Sequence, residues 1–190
     1  MEKLSCRLTD LLLKFEVISK ENYSIYKYGF LTGLELSLWI LFCTITAFIL
    51  DMVDESILFF ILFLNLRSYV GGIHLKLYYH CFALSTAIHW IILLFTKYNS
   101  MQLHIKMVII VISNCVLLFF KPVDNSNRKV DMEENALFET KKIRNILIVF
   151  IMSLIFYFLH LNTYVSLTAY TLFFIAISML LGSVMNHVQK

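Results

Sequence analysis

Two apolar stretches near the C-terminus decide the fold class of this chain: residues 145–160 (NILIVFIMSLIFYFLH) and 164–184 (YVSLTAYTLFFIAISMLLGSV). Neither stretch contains Asp, Glu, Lys or Arg. Each approaches the roughly 20 residues that a helix needs to cross the hydrocarbon core of a bilayer. Apolar and polar residues do not alternate as they do in the strands of a membrane barrel. The pattern therefore predicts two membrane-spanning helices.

Four earlier apolar runs repeat the pattern, at residues 28–50, 56–66, 79–95 and 107–120. The chain is 59% hydrophobic and 15% charged, with a mean hydropathy of +0.77, more apolar surface than a soluble domain of 190 residues can bury. We therefore predict an all-α, polytopic integral membrane protein with about six transmembrane helices. The run 56–66 is short, so either its helix extends back over Met52 and Val53 or the segment that follows re-enters the membrane.

The first 27 residues have a different character. Leu4, Leu8, Leu11, Phe15 and Ile18 recur at helical spacing with positive charges between them. This pattern predicts an amphipathic helix on the membrane surface, or a solvated helix packed on the rest of the protein. There is no short apolar core with a cleavage site, so we do not expect a cleaved signal peptide.

We expect a single membrane domain, 1–190, with an amphipathic cytoplasmic segment at 1–27 and a helical membrane core at 28–184. Its cytoplasmic loops are 67–78 and 121–144. Six crossings put both termini on one side, and all but two of the 16 Lys and Arg residues, Lys97 and Lys106, then lie on that side. The positive-inside rule predicts that this side is the cytoplasm.

The segment Arg67-Ser-Tyr-Val-Gly71-Gly72-Ile-His74, followed by Cys81, holds the candidate chemistry. A cysteine is a strong nucleophile as the thiolate, and an imidazole can take its proton and return it to a leaving amine. On one unbroken helix the two side chains would lie roughly 10 Å apart along the axis. The chain must therefore bend, and Gly71 and Gly72 allow this.

Other readings of these residues remain open. A lone His and Cys in an apolar chain can simply be packing residues, as we expect for Cys43 and Cys115 within their apolar runs. The trio of His74, His80 and Cys81 lacks the spacing of a zinc site, so we predict no metal and no cofactor.

Glu35 is an ionisable residue about two turns into the first predicted span. A charge at that depth is costly unless it is paired or faces water. Glu35 therefore either forms an ion pair, for example with Arg67, or supports the site by binding substrate or orienting the histidine.

The chain resembles the AgrB family, the accessory gene regulator B membrane peptidases that process quorum-sensing propeptides in Gram-positive bacteria. The resemblance covers nearly the whole length in size, hydropathy and number of spans. Its specific part is the segment from Arg67 to Cys81. The Pro122-Val-Asp124 loop and the Gly33-Leu-Glu35 segment resemble weaker family patterns.

The resemblance implies that Cys81 is the nucleophile and His74 the general base and then acid, with Arg67, Gly71, Gly72 and Glu35 in support. The substrate would be an AgrD-like propeptide, cut near its C-terminus through a thioester and closed into a thiolactone or lactone ring. We expect a protein of the bacterial cell membrane, with its site in the cytoplasm, that forms a homodimer in the lipid bilayer and binds no nucleic acid.

The resemblance implies that the AgrD-like precursor contains an amphipathic leader, a short signal segment and an acidic tail. The basic loop 121–144 is a candidate site for that tail. The candidate substrate-binding residues are Asp124, Lys129, Lys141, Lys142 and Arg144.

The sequence is also compatible with two other functions. In a small transporter or exporter, Glu35 and His89 would line a path through the membrane. In a noncatalytic scaffold that binds a partner through the basic loop, neither His74 nor Cys81 would matter.

Overall fold

The described part of this computed structural model comprises residues 1–73, 78–98, 100–120 and 132–188, without the side chains of residues 78, 132–136 and 186–188. These residues form seven α-helices and no strand, so the prediction of an all-α fold is confirmed. In chain order the helices are α1 (Glu2–Lys14), α2 (Tyr23–Leu50), α3 (Val53–Val70), α4 (Tyr78–Tyr98), α5 (Leu103–Phe119), α6 (Met132–Phe158) and α7 (Asn162–Val188).

Three helices are long and apolar enough to cross a membrane, and they confirm a membrane protein. The qualifying segments are Lys20–Leu50, Tyr79–Tyr98 and Asn162–Met185, and Leu103–Phe119 is a shorter apolar helix. The number of six spans stays a prediction.

Helix α3 is longer than the apolar run that predicted it. It begins at Val53, directly after Met52, and its 18 residues span about 27 Å. Asp54 and Glu55 lie in its first turn, where negative charge stabilises the positive end of the helix dipole. The helix therefore extends back from the short apolar run 56–66 to Val53, which agrees with the first of the two predicted alternatives.

The chain divides into two compact units, residues 1–51 and 52–190. In the first unit, α1 packs against α2, and the Tyr23 hydroxyl donates a 2.8 Å hydrogen bond to Asp10. The buried residues of α1 are Ser5 and Thr9, whereas Leu11 and Phe15 are 50% and 72% exposed. An apolar face is thus available for a membrane surface.

The second unit is built around α7, which contacts α3, α4, α5 and α6. Every residue from 165 to 172 is buried, so this part of α7 is enclosed on all sides. The hydroxyls of Ser166 and Thr168 donate to carbonyls one turn back, at Asn162 and Tyr164. Polar side chains satisfied within their own helix can lie in an apolar interior, which explains the burial of these two residues.

A buried polar contact joins α3 to α4. The Ser56 hydroxyl and His89 Nε2 lie 2.9 Å apart, and the imidazole stacks on Phe60 and meets the edge of Phe59. His89 is fully buried. These surroundings are those of a packing residue. They do not support the hypothesis that His89 lines a transport path.

A second polar contact joins α3 to α6, where the Asn145 amide donates a 2.7 Å hydrogen bond to Asn65 Oδ1. Asn145→Leu should destabilise the protein by about 1 kcal/mol, typical of hydrogen bonds between membrane helices, because the Asn65 oxygen loses its donor. Thermal unfolding in detergent should show this as a melting point lower by about 2–4 °C.

Ser153→Ala is the matched control, because the Ser153 hydroxyl bonds only its own helix at Val149. Equal melting points for Asn145→Leu and Ser153→Ala would show that the contact between α3 and α6 contributes nothing specific.

Candidate functional site

The guanidinium of Arg67, in the last turn of α3, organises the segment that leads to residue 74. Its Nη1 donates to the Gly71 carbonyl at 2.6 Å and to the Ser178 hydroxyl of α7 at 3.0 Å. Its Nη2 donates to the Ile73 carbonyl at 2.6 Å. Hydrogen bonds from a charged donor are stronger than neutral ones, and the planar guanidinium fixes the direction of each. Arg67 therefore holds the chain after α3 in one conformation against α7.

Gly71 and Gly72 adopt backbone conformations that this arrangement requires. Their φ angles are +74° and +145°, which L side chains rarely adopt. A Cβ atom on Gly72 would also overlap the Arg67 guanidinium and lie 2.7 Å from the Ser178 hydroxyl oxygen. The absence of a side chain at residue 72 makes room for the arginine.

Gly182, one turn after Ser178 on α7, lets the helix approach this loop. A Cβ atom at Gly182 would lie 2.6 Å from the carbonyl carbon of Gly72 and 2.8 Å from its oxygen. Ser178 supports the same contact, since its hydroxyl also lies 3.4 Å from the Ile73 nitrogen. Ser178 and Gly182 together form the surface of α7 on which the loop rests.

Cys81 lies at the start of α4, where its half-buried thiol interacts electrostatically with Arg67. The same arginine therefore interacts with the candidate nucleophile and holds the residue that directly precedes His74.

His74 itself, with Asp124 and Lys129, lies outside the described residues. The dyad of His74 and Cys81 therefore stays a prediction. The described neighbours on both sides, Ile73 and Cys81, interact with Arg67.

The other candidate residues occupy varied positions. Glu35 is half-buried on α2, in the first unit. Lys141 and Arg144 are exposed on α6. Lys142 is 3% exposed, and its ammonium donates a 3.0 Å hydrogen bond to the Phe120 carbonyl at the end of α5. Burial lowers the pKa of Lys142, and the nearby Glu139 carboxylate partly opposes this. Lys142 therefore already has a structural contact, unlike the two exposed cations.

The remaining cysteines differ in exposure. Cys43 is fully buried, as a small packing residue should be, but Cys115 is exposed on α5, so the expectation that it belongs to the core was wrong. An apolar run places a residue in the membrane without deciding whether it faces protein or lipid.

Sequence reasoning missed Ser178 and Gly182, which lie more than a hundred residues after Arg67. The signal was available, because a serine and a glycine four residues apart form the small-xxx-small pattern that marks close approach to a helix. The pattern predicts a close contact but does not name the partner.

The family model described as AgrB, accessory gene regulator B, matches residues 5–185, nearly the whole chain. No curated protein and no solved structure matches this chain.

Gly72→Ala should displace the Arg67 guanidinium from the Gly71 and Ile73 carbonyls and lower the free energy of unfolding by about 1–3 kcal/mol, because these acceptors lose a charged donor. Thermal unfolding in detergent measures this loss, and Arg67→Met gives the loss expected when the guanidinium is absent.

Gly33→Ala is the matched control, because a Cβ atom at Gly33 meets nothing within 4 Å. A melting point of Gly72→Ala as high as that of Gly33→Ala would show that residue 72 does not position the arginine.

Proposed function

Because this chain belongs to the accessory gene regulator B family, which takes part in processing autoinducer peptides for quorum sensing, we propose that it is a membrane cysteine endopeptidase. Its substrate would be an AgrD-like propeptide, with Cys81 as nucleophile and His74 as general base and acid. The observation that carries the proposal is that the Arg67 guanidinium holds the Gly71 and Ile73 carbonyls directly before His74. The same guanidinium also interacts electrostatically with Cys81.

In the first step, His74 takes the proton from the Cys81 thiol and the thiolate attacks a peptide carbonyl carbon of the propeptide. A bond forms between sulfur and carbon, and negative charge collects on the carbonyl oxygen. The C–N bond then breaks, and His74 returns the proton to the leaving amine. The products are a thioester on Cys81 and the released C-terminal part of the propeptide.

In the second step, a cysteine or serine within the bound part of the propeptide attacks the thioester carbonyl. Its side chain forms a thiolactone or lactone, and Cys81 leaves as the thiolate and regains a proton. No water is consumed when the ring closes. A site shielded by the membrane favours this intramolecular attack over hydrolysis, because the internal nucleophile is held close to the carbonyl.

Arg67 has a role that its contacts support. Its charge interacts with the Cys81 side chain. Its hydrogen bonds to the Gly71 and Ile73 carbonyls hold the backbone before His74. Arg67 is thus a positioning residue that serves both members of the dyad.

The substrate's acidic tail would bind the exposed cations in the first half of α6. Lys141 and Arg144 are exposed and three residues apart, so their side chains project from one face of the helix. Asp124 and Lys129 remain candidates on the family resemblance alone.

The active site would face the cytoplasm, as would both termini, in a homodimer in the bacterial cell membrane. The support for this orientation is the distribution of Lys and Arg, which places only Lys97 and Lys106 on the other side.

Cys81→Ala and His74→Ala should each abolish cleavage of a co-expressed propeptide, because one removes the nucleophile and the other the proton carrier. The measurement is mass spectrometry of a tagged propeptide, with equal amounts of each variant confirmed in the membrane fraction. Wild-type protein should yield both the cyclised peptide and the C-terminal fragment.

Cys115→Ala is the matched control, since it removes an exposed thiol elsewhere in the same unit. Cleavage by Cys81→Ala at the level of Cys115→Ala would exclude the proposed nucleophile.

Replacing both Lys141 and Arg144 with glutamine should raise the apparent KM for the propeptide several-fold and leave kcat nearly unchanged, because the pair binds the tail and takes no part in bond breaking. A propeptide without its acidic residues should be cleaved equally well by both proteins. Unchanged cleavage of the full propeptide at limiting concentration would contradict this role.

Lys142→Gln should behave differently, because Lys142 donates to the Phe120 carbonyl at the end of α5. We expect lower thermal stability, by about 1–3 kcal/mol for a buried acceptor left without its donor, measured by thermal unfolding in detergent. A Lys142 variant with wild-type stability and a raised KM would instead show that this lysine binds the acidic tail.

A further inference from the structure

A polar cavity of about 360 Å³ opens at the end of the second unit that lies away from Arg67 and Cys81. It lies between the end of α4 and the starts of α5 and α7, and α4 separates it from Cys81 by about 22 Å, the rise of fifteen helical residues. The polar lining residues are Thr96, Ser100, Lys106, Asn162, Thr163 and Ser166. No acidic residue is among the described residues that line it.

Lys106 is the unusual member of this lining. It is 5% exposed, and no described residue accepts a hydrogen bond from its ammonium or pairs with its charge. The Thr96 hydroxyl, on a residue 7% exposed, also has no partner within the described part of the chain. A cation on a largely buried residue is costly without a counter-ion, and an anion bound beside it offsets that cost.

Two helix N-termini reinforce the preference for negative charge. The first turns of α5 and α7, which begin at Leu103 and Asn162, both contribute to the lining. The start of a helix carries a positive partial charge and backbone N–H groups without acceptors in the helix. Lys106 and the two helix starts therefore direct three positive features at one cavity.

The surroundings indicate the source of the anion. The exposed apolar side chains of Phe95 and Ile105 directly adjoin Thr96 and Lys106 along their helices, so lipid chains can lie beside the opening. The cavity is also within the size range of sites that hold small organic molecules, larger than a bare phosphate ion requires.

We propose that this cavity binds the phosphate group of an anionic phospholipid headgroup, with Lys106 as counter-ion, Thr96 as hydroxyl donor and the starts of α5 and α7 as further donors. The lipid's acyl chains lie along the exposed apolar faces of α4 and α5. The site joins the ends of α4, α5 and α7 and is independent of the proposed peptidase activity.

The test is thermal unfolding of delipidated, full-length protein in a neutral detergent, titrated with dihexanoyl phosphatidylglycerol. Dihexanoylglycerol, which has the same acyl chains and no phosphate, and inorganic phosphate are titrated in parallel. Phosphatidylglycerol should raise the melting point at concentrations at which the other two have little effect. Equal stabilisation by inorganic phosphate would overturn the assignment to a lipid, and stabilisation by neither phosphate compound would overturn the site.

Lys106→Gln should weaken the apparent affinity for phosphatidylglycerol by at least about tenfold, the effect of losing one charge-assisted hydrogen bond. Lys106→Arg should retain most of it. Lys97→Gln is the matched control. It also removes one lysine charge near the end of α4, but Lys97 is exposed and does not line the cavity. Equal affinities for Lys106→Gln and Lys97→Gln would overturn the proposal.

A second measurement needs no variant. Phosphatidylglycerol should slow the acetylation of Lys106 in the wild-type protein several-fold relative to Lys97, as read by peptide mass spectrometry. Equal protection of the two lysines would also overturn the proposal.

Discussion

The described site depends on hydrogen-bond acceptors for a partly buried guanidinium. Arg67 lies partly enclosed at the end of α3, where its charge would be costly without acceptors. Two backbone carbonyls and the Ser178 hydroxyl supply them, and each of these bonds also fixes the loop after α3. The requirements for glycine at 72 and 182 follow from the same arrangement, because a side chain at either position would occupy space that the arginine or the loop backbone fills.

Helix α7 makes the arrangement possible. Its middle is buried on every side, and it acts as the core against which α3, α4, α5 and α6 pack. The buried hydroxyls of Ser166 and Thr168 are satisfied within the helix. Its C-terminal half carries Ser178 and Gly182 to the loop before His74. Its first turn lines the polar cavity around Lys106. One helix thus connects the proposed catalytic end of the second unit with the proposed lipid site at the other end.

The sequence predicted the all-α membrane fold because apolar length and the absence of charge are local properties. It also selected Arg67, Gly71 and Gly72. It missed Ser178 and Gly182, because contact between residues so far apart depends on how helices pack. Packing likewise separates Lys142, which is buried against the end of α5, from exposed Lys141 beside it, although the two are chemically identical in the sequence.

We propose that Arg67, through its hydrogen bonds to the loop after α3, holds residue 74 beside Cys81, and disulfide formation tests this most directly. With Cys6, Cys43 and Cys115 replaced by serine, His74→Cys should form a disulfide with Cys81 under mild oxidation, since the bond requires Cα atoms within about 7 Å. It should form faster than the disulfide from Lys76→Cys, and Arg67→Met should remove the difference. Equal rates at 74 and 76 with Arg67 intact, or no effect of Arg67→Met, would contradict this proposal.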